Sequence, residues 1–192
     1  MAYPTVSAPY GFKPINRVDG NVYAGATRQY GIDPAASIFN GDLVKIVAGL
    51  VLPFVPGTDT NPAGVFMGAQ YTNSMGQTIQ GQYYPAGAAN GVGYVVVDPQ
   101  AAYQVVVTDG AGVVSDITTI AAIGSNMEVL PGTGSVTSGD SASSVIAGSE
   151  AVTATLPVRV VDVIPASKTA TGFPELIVKI NVTQFDNATG KV

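Results

Sequence analysis

Cysteine, histidine and tryptophan are all missing from this sequence. Without cysteine there are no disulfides, thiol nucleophiles or thiolate metal sites, and nothing from which to read a redox compartment. Without histidine the chain lacks the commonest general base near neutral pH, the usual imidazole ligand and the middle member of a Ser/His/Asp triad. Basic residues are scarce too, 8 among 192, and none lies between Lys45 and Arg159. That interval holds Asp59, Asp98, Asp109, Asp116, Glu128, Asp140 and Glu150, a local balance of −7 within a net charge of −5. No basic stripe exists to neutralise phosphates, so nucleic acid is not an expected partner. Long apolar runs are also absent, and "MAYPTVSAPYGF" has neither the basic start nor the apolar centre of a signal peptide. No membrane partner is expected, and the chain reads as a soluble protein, finished as translated.

What the sequence does have is β-forming residues cut by turn signals. At 192 residues, 46% hydrophobic and 11% charged, it suffices for a single domain with a substantial core. The runs Leu43–Val47, Leu50–Val55, Gly64–Thr72, Gly93–Asp98, Ala102–Asp109, Leu156–Ile164 and Glu175–Phe185 are rich in β-branched and aromatic residues. In the last of them Leu176, Val178, Ile180 and Val182 share one face, as in a half-buried strand. "DG" at Asp19–Gly20 and Asp109–Gly110 and "NG" at Asn40–Gly41 and Asn90–Gly91 accept the positive φ of tight turns. Ala48–Gly49 joins two strands into a hairpin, and Pro53 belongs at a sheet edge or bulge. Only "SDITTIAAIGSN" has helical spacing, with Ser115 as cap and Gly124 as stop. The Ser/Gly/Thr stretch Gly132–Gly148 suits a mobile loop or an irregular β excursion. The expected fold is all-β, an antiparallel β-barrel or sandwich with at most one or two short helices.

The first 18 residues stand apart, ahead of a single β-rich domain over 19–192. Pro4, Pro9 and Pro14 fall five apart among Tyr3, Tyr10 and Phe12, a spacing that forbids helix and favours an extended arm. Such an arm docks either on a neighbouring surface or on its own domain.

Motifs for chemistry are weak throughout. "GSVTSGDS" (134–141) has phosphate-loop spacing, but Asp140 stands where the lysine must be. "GAGVVS" (110–115) lacks the third glycine of a dinucleotide fingerprint, and no GxSxG elbow occurs. Asp59, Asn61 and Asp140 are hard oxygen ligands, yet no loop gathers three carboxylates for calcium. Two acids suffice for a glycosidase, but the sequence singles out no pair, and most acids sit in turns. The nine tyrosines, "QYY" at 82–84 among them, suit either a contact surface or a sugar-binding face. The expectation is no catalysis and no cofactor.

Taken along nearly its whole length, the chain resembles a family of small tailed-phage structural proteins encoded near the capsid gene. The likeness is carried by "SAPYGFKPINRVDG", "GATRQYGI", "IFNGDLVKI", "AGVFMGAQYTNSMGQ", "YVVVDPQAAYQVVVTDG", "TGSVTSGDSASS" and "TLPVRVVDVI…ELIVKINVTQF". These are turn-and-strand patterns rather than catalytic signatures. The resemblance implies a head decoration (cement) protein, made in the host cytoplasm and displayed on the capsid surface of the virion, commonly as a homotrimer, with the major capsid protein as partner. On that reading the arm binds the shell through Tyr3, Pro4, Pro9, Tyr10, Phe12 and Pro14. Two rivals are a tail or spike protein that binds host-surface glycan and a carboxylate-dependent wall hydrolase.

Overall fold

The computed structural model describes residues 6–113, 120–164, 167 and 173–186. Its first strands are β1 (Lys13–Arg17), β2 (Arg28–Ile32), β3 (Ile38–Phe39), β4 (Leu43–Val47) and β5 (Leu50–Pro53). Then come β6 (Gly64–Thr72), β7 (Thr78–Gly81), β8 (Tyr83–Tyr84), β9 (Ala89–Val96) and β10 (Ala101–Thr108). A single 3-10 turn at Ile120–Ala122 precedes β11 (Asn126–Met127), β12 (Val129–Leu130), β13 (Ser144–Ile146), β14 (Val158–Ile164) and β15 (Glu175–Ile180). The fold is all-β, as the turn-cut β runs predict. Among the described residues no helix is long and apolar enough to cross a membrane. Residues 115–119 of the stretch read as helical, Ser115 and Ile117 included, lie outside the described residues.

The first half of the chain curls on itself. Strands run in the order β4-β5-β2-β9-β6, and β6 pairs back onto β4 through Leu43 opposite Val65 and Val44 opposite Gly64. That pairing closes a five-stranded barrel and removes its edges, with β7 attached outside as the second arm of the β6 hairpin. The β4–β5 turn has φ of 50° at Ala48 and 82° at Gly49, the doubly positive geometry that matches strand twist in a two-residue hairpin. Pro53 lies beyond the last β5 residue paired with β2, where its missing N–H interrupts no ladder between them. Asn90–Gly91 makes no turn. Both residues lie within β9, where Asn90 takes a φ of 52° and a Cβ at Gly91 would sit 2.5 Å from the Tyr84 ring.

A second sheet, ordered β11-β14-β15-β10-β13-β12 with β1 also on β10, packs against the barrel wall. Strand alternation divides the apolar residues between two cores. Val44, Val51, Phe66 and Val95 fill the barrel. Their neighbours Leu43, Val65 and Val96 point the other way, onto Tyr103, Val105, Val107, Leu176, Val178 and Ile180 of the second sheet. The alternation read in Leu176, Val178 and Ile180 is therefore a core face, but the strand stops at Ile180. Beyond it Asn181 donates to the carbonyls of Ala154 and Leu156, and Thr183 with Asp186 forms a turn.

Candidate interaction surface

The N-terminal segment is where sequence and structure differ most. Tyr3 and Pro4 lie outside the described residues. From Val6 onward the chain runs as a strap across its own second sheet. The Val6 carbonyl accepts from Phe173 N–H at 3.1 Å, Gly11 N–H donates to the Ser143 carbonyl at 3.1 Å and Phe12 N–H to the Gly41 carbonyl at 2.9 Å. Pro9 and Tyr10 are half-buried. The Tyr10 hydroxyl donates to Oε1 of Glu175, and Lys13 Nζ stands 4.2 Å above the Tyr10 ring. Phe12 is wholly buried, edge-on to Tyr103 at 6.4 Å between ring centres. Pro14 sits in β1 opposite Tyr103. The extended arm expected over 1–18 is thus part of the body from the strap onward, and Phe12 is a core residue with no surface to offer a shell. Burying a phenylalanine internally is worth about 2–3 kcal/mol, which is the reason the strap stays down.

The strap crosses the body at a three-way clasp. A Cβ on Gly11 would lie 2.7 Å from both the Gly41 carbonyl oxygen and Ser141 Cβ, so only glycine permits the crossing. At the centre is Asp42, which follows the Asn40–Gly41 turn. Its Oδ1 accepts from Ser141 Oγ at 2.5 Å and Ser143 Oγ at 3.1 Å, and its Oδ2 accepts from Phe39 N–H at 2.9 Å. Burial pushes the Asp42 carboxyl above its ordinary value, against the opposing pull of these donors. The Ser/Gly stretch, read as a mobile loop or an irregular β excursion, is the latter and is held on both sides: Asn40 N–H reaches the Gly139 carbonyl and Ser141 N–H the Asn40 carbonyl, each at 2.9 Å. Its small residues serve close approach. A Cβ on Gly132 would fall 2.1 Å from the Ala142 carbonyl oxygen. A serine pointing at an aspartate is no nucleophile by itself, because a carboxylate is too weak a base to activate it without an intervening imidazole or amine. Asp42 was invisible to sequence reasoning as a hub; an Asx residue after a turn gives no hint of partners some hundred positions away.

Several other carboxylates are spent close to home. Asp33 accepts from Ala35 N–H at 2.8 Å, Asp98 from Gln100 N–H at 2.9 Å and Asp109 from Ala111 and Val113 N–H at 2.9 and 2.7 Å. Each is an Asx turn holding its own loop. Asp59, named above as an oxygen ligand, pairs with Lys45 at 2.7 Å and accepts from Val55 N–H at 2.7 Å. No group of three acids converges among the described residues. The described tyrosines are equally engaged: Tyr71, Tyr84 and Tyr103 are buried, and the rest are half-buried. Of "QYY", Tyr84 is buried, Tyr83 is half-buried and stacks on Phe39 at 5.5 Å, and Gln82 is exposed. What the surface does offer is apolar: Val152 is 99%, Val22 83% and Met75 81% exposed, with Val113 and Val136 also outside. Two clefts of 580 and 450 Å³ lie where the β5 end meets β12. No family model, curated protein or solved structure matches the chain.

Proposed function

We propose that this protein is a structural component of a phage particle, a decoration protein that attaches to the outside of the head and stabilises the shell against internal DNA pressure. One observation carries the reading: most of the described acids are used in turns, clasp and core, and each described tyrosine is buried or half-buried, while apolar side chains stand at loop tips. Such a molecule is built to adhere. The whole-chain likeness to phage structural proteins supplies the partner, the major capsid protein, and assembly as a homotrimer closes a ring so that weak single contacts add through effective concentration. The glycan-binding alternative finds less support, because sugar recognition needs an exposed aromatic face and the described tyrosines are withdrawn. Electron microscopy of particles with and without this protein tests the proposal. Density on the head shell that vanishes with the protein is expected; density confined to the tail or its fibres would overturn it.

A further inference from the structure

The two clefts share Phe54, Pro56, Val129 and Pro131, so they form one continuous groove between the barrel and the second sheet. One wall is the end of a sheet. β12 pairs only with β13, antiparallel, with Val129 opposite Val145 and Leu130 opposite Ser144. Ile146 N–H donates to the Glu128 carbonyl at 3.0 Å, which makes 128 and 130 the residues whose backbone groups face β13. In an antiparallel ladder these alternate, so the N–H and C=O of Val129 face the opposite side, where no strand of the described chain pairs. The groove therefore holds, along an apolar floor, a main-chain donor and acceptor that no described strand uses, on a residue that is 4% exposed. Its walls are set by Pro53, Pro56, Pro131 and Pro157, whose fixed φ resists collapse into the space.

Charge chooses the occupant. No lysine or arginine lines either cleft. Asp59 is neutralised by Lys45, while Glu128 is exposed on the rim and its carboxylate has no partner among the described residues. We infer that this groove docks an extended segment of another protein in which apolar side chains alternate with lysine or arginine. The segment adds one strand beside β12, exchanges hydrogen bonds with Val129 and sets a basic side chain against Glu128. Assigning that segment to a shell subunit rests on the function proposed above; the groove itself does not.

The test uses the isolated full chain and two fluorescent eight-residue peptides, one alternating lysine with valine and one alternating glutamate with valine. Anisotropy should show the lysine peptide binding at least about tenfold more tightly at low salt, an advantage that shrinks as salt is raised. Glu128→Lys should weaken it by about tenfold. Thr155→Trp, an exposed position on the groove wall, should block it without disturbing the core. Hydrogen exchange should slow at the Val129 amide on binding. Equal binding of both peptides, binding of neither, or unimpaired binding to Thr155→Trp overturns the inference. Because no particle is involved, failure here leaves the shell assignment standing, and tail localisation by microscopy leaves the groove standing.

Discussion

Phe12 distinguishes an arm that grips a partner from a strap that completes its own fold. Its ring is fully buried, packs edge-on against Tyr103 and shares a core with Leu43, Val65 and Val96 of the barrel wall. Phe12→Ala removes a buried aromatic at the seam between barrel and sheet, and such truncations cost about 3–5 kcal/mol. For a chain of this length each kcal/mol lowers the melting temperature by about 2–4 °C, so a fall of about 6–20 °C is expected in scanning calorimetry. Phe12→Leu keeps most of the volume and should cost less than about 1.5 kcal/mol. Tyr10→Phe is the companion. Glu175 is buried and its Oε2 has no partner among the described residues, so losing the Tyr10 hydroxyl deprives the other oxygen of that donor as well, at a cost of about 1–3 kcal/mol. Urea unfolding of the isolated protein reads both. If Phe12→Ala unfolds within about 1 kcal/mol of the parent chain yet no longer attaches to heads, Phe12 is an anchor and the strap reasoning fails.

Tyr103 points its hydroxyl into the core with no partner among the described residues, and burial beside Tyr23 and Asp98 drives its ionisation far above the ordinary tyrosine range. Tyr103→Phe should therefore leave the protein as stable or more stable by about 1 kcal/mol; a loss above that in urea would reveal a bond that the geometry does not contain. Asp42 binds its proton more tightly folded than unfolded, so protonation adds stability that is fully present below 3.8 and is lost as pH rises through the higher folded value. Over that window the parent chain should lose at most about 1.4 kcal/mol per pH unit through this group, and Asp42→Asn should flatten the profile; identical profiles refute the assignment. Gly132→Ala drives a methyl into the Ala142 carbonyl and should cost more than about 2 kcal/mol, whereas a substitution in a truly mobile loop would leave the melting temperature unchanged.

Seven strands were legible because each carries its own signal. β4 and β6 have the boundaries that their β-branched runs suggest, and β10, β14 and β15 differ by a few residues at their ends. Apart from β4 and β5, the short strands were not legible, since pieces such as β8 and β12 owe their conformation to partners far away in sequence rather than to local propensity. Asn90–Gly91 misled for a related reason: a dipeptide tolerant of positive φ serves a bulged strand beneath a tyrosine ring as well as it serves a turn. For the Ser/Gly stretch the sequence left a mobile loop and an irregular β excursion both open, because smallness permits both mobility and close packing; the facing backbone decides for the second, with β13 inside the stretch. For Tyr10 and Phe12, extension was readable from the prolines, but the surface that the extended chain lies on was not.

Stiffness is what links this fold to the adhesive role proposed for it. The barrel has no edge to open, and Leu43, Val65 and Val96 lock its wall into the core of the second sheet, so separating the two layers exposes the shared core at once. The strap and the Asp42 clasp then tie three distant segments across that seam. A body held in this way loses little conformational freedom when it binds, and the ordering of loops and side chains is a main cost of protein association. Modest contact areas can then yield useful affinity. The same logic explains why the groove beside β12 is walled by proline: a rigid slot with one backbone pair that no described strand uses stays ready for a strand without collapsing on itself, and Glu128 at its rim selects the charge of what enters.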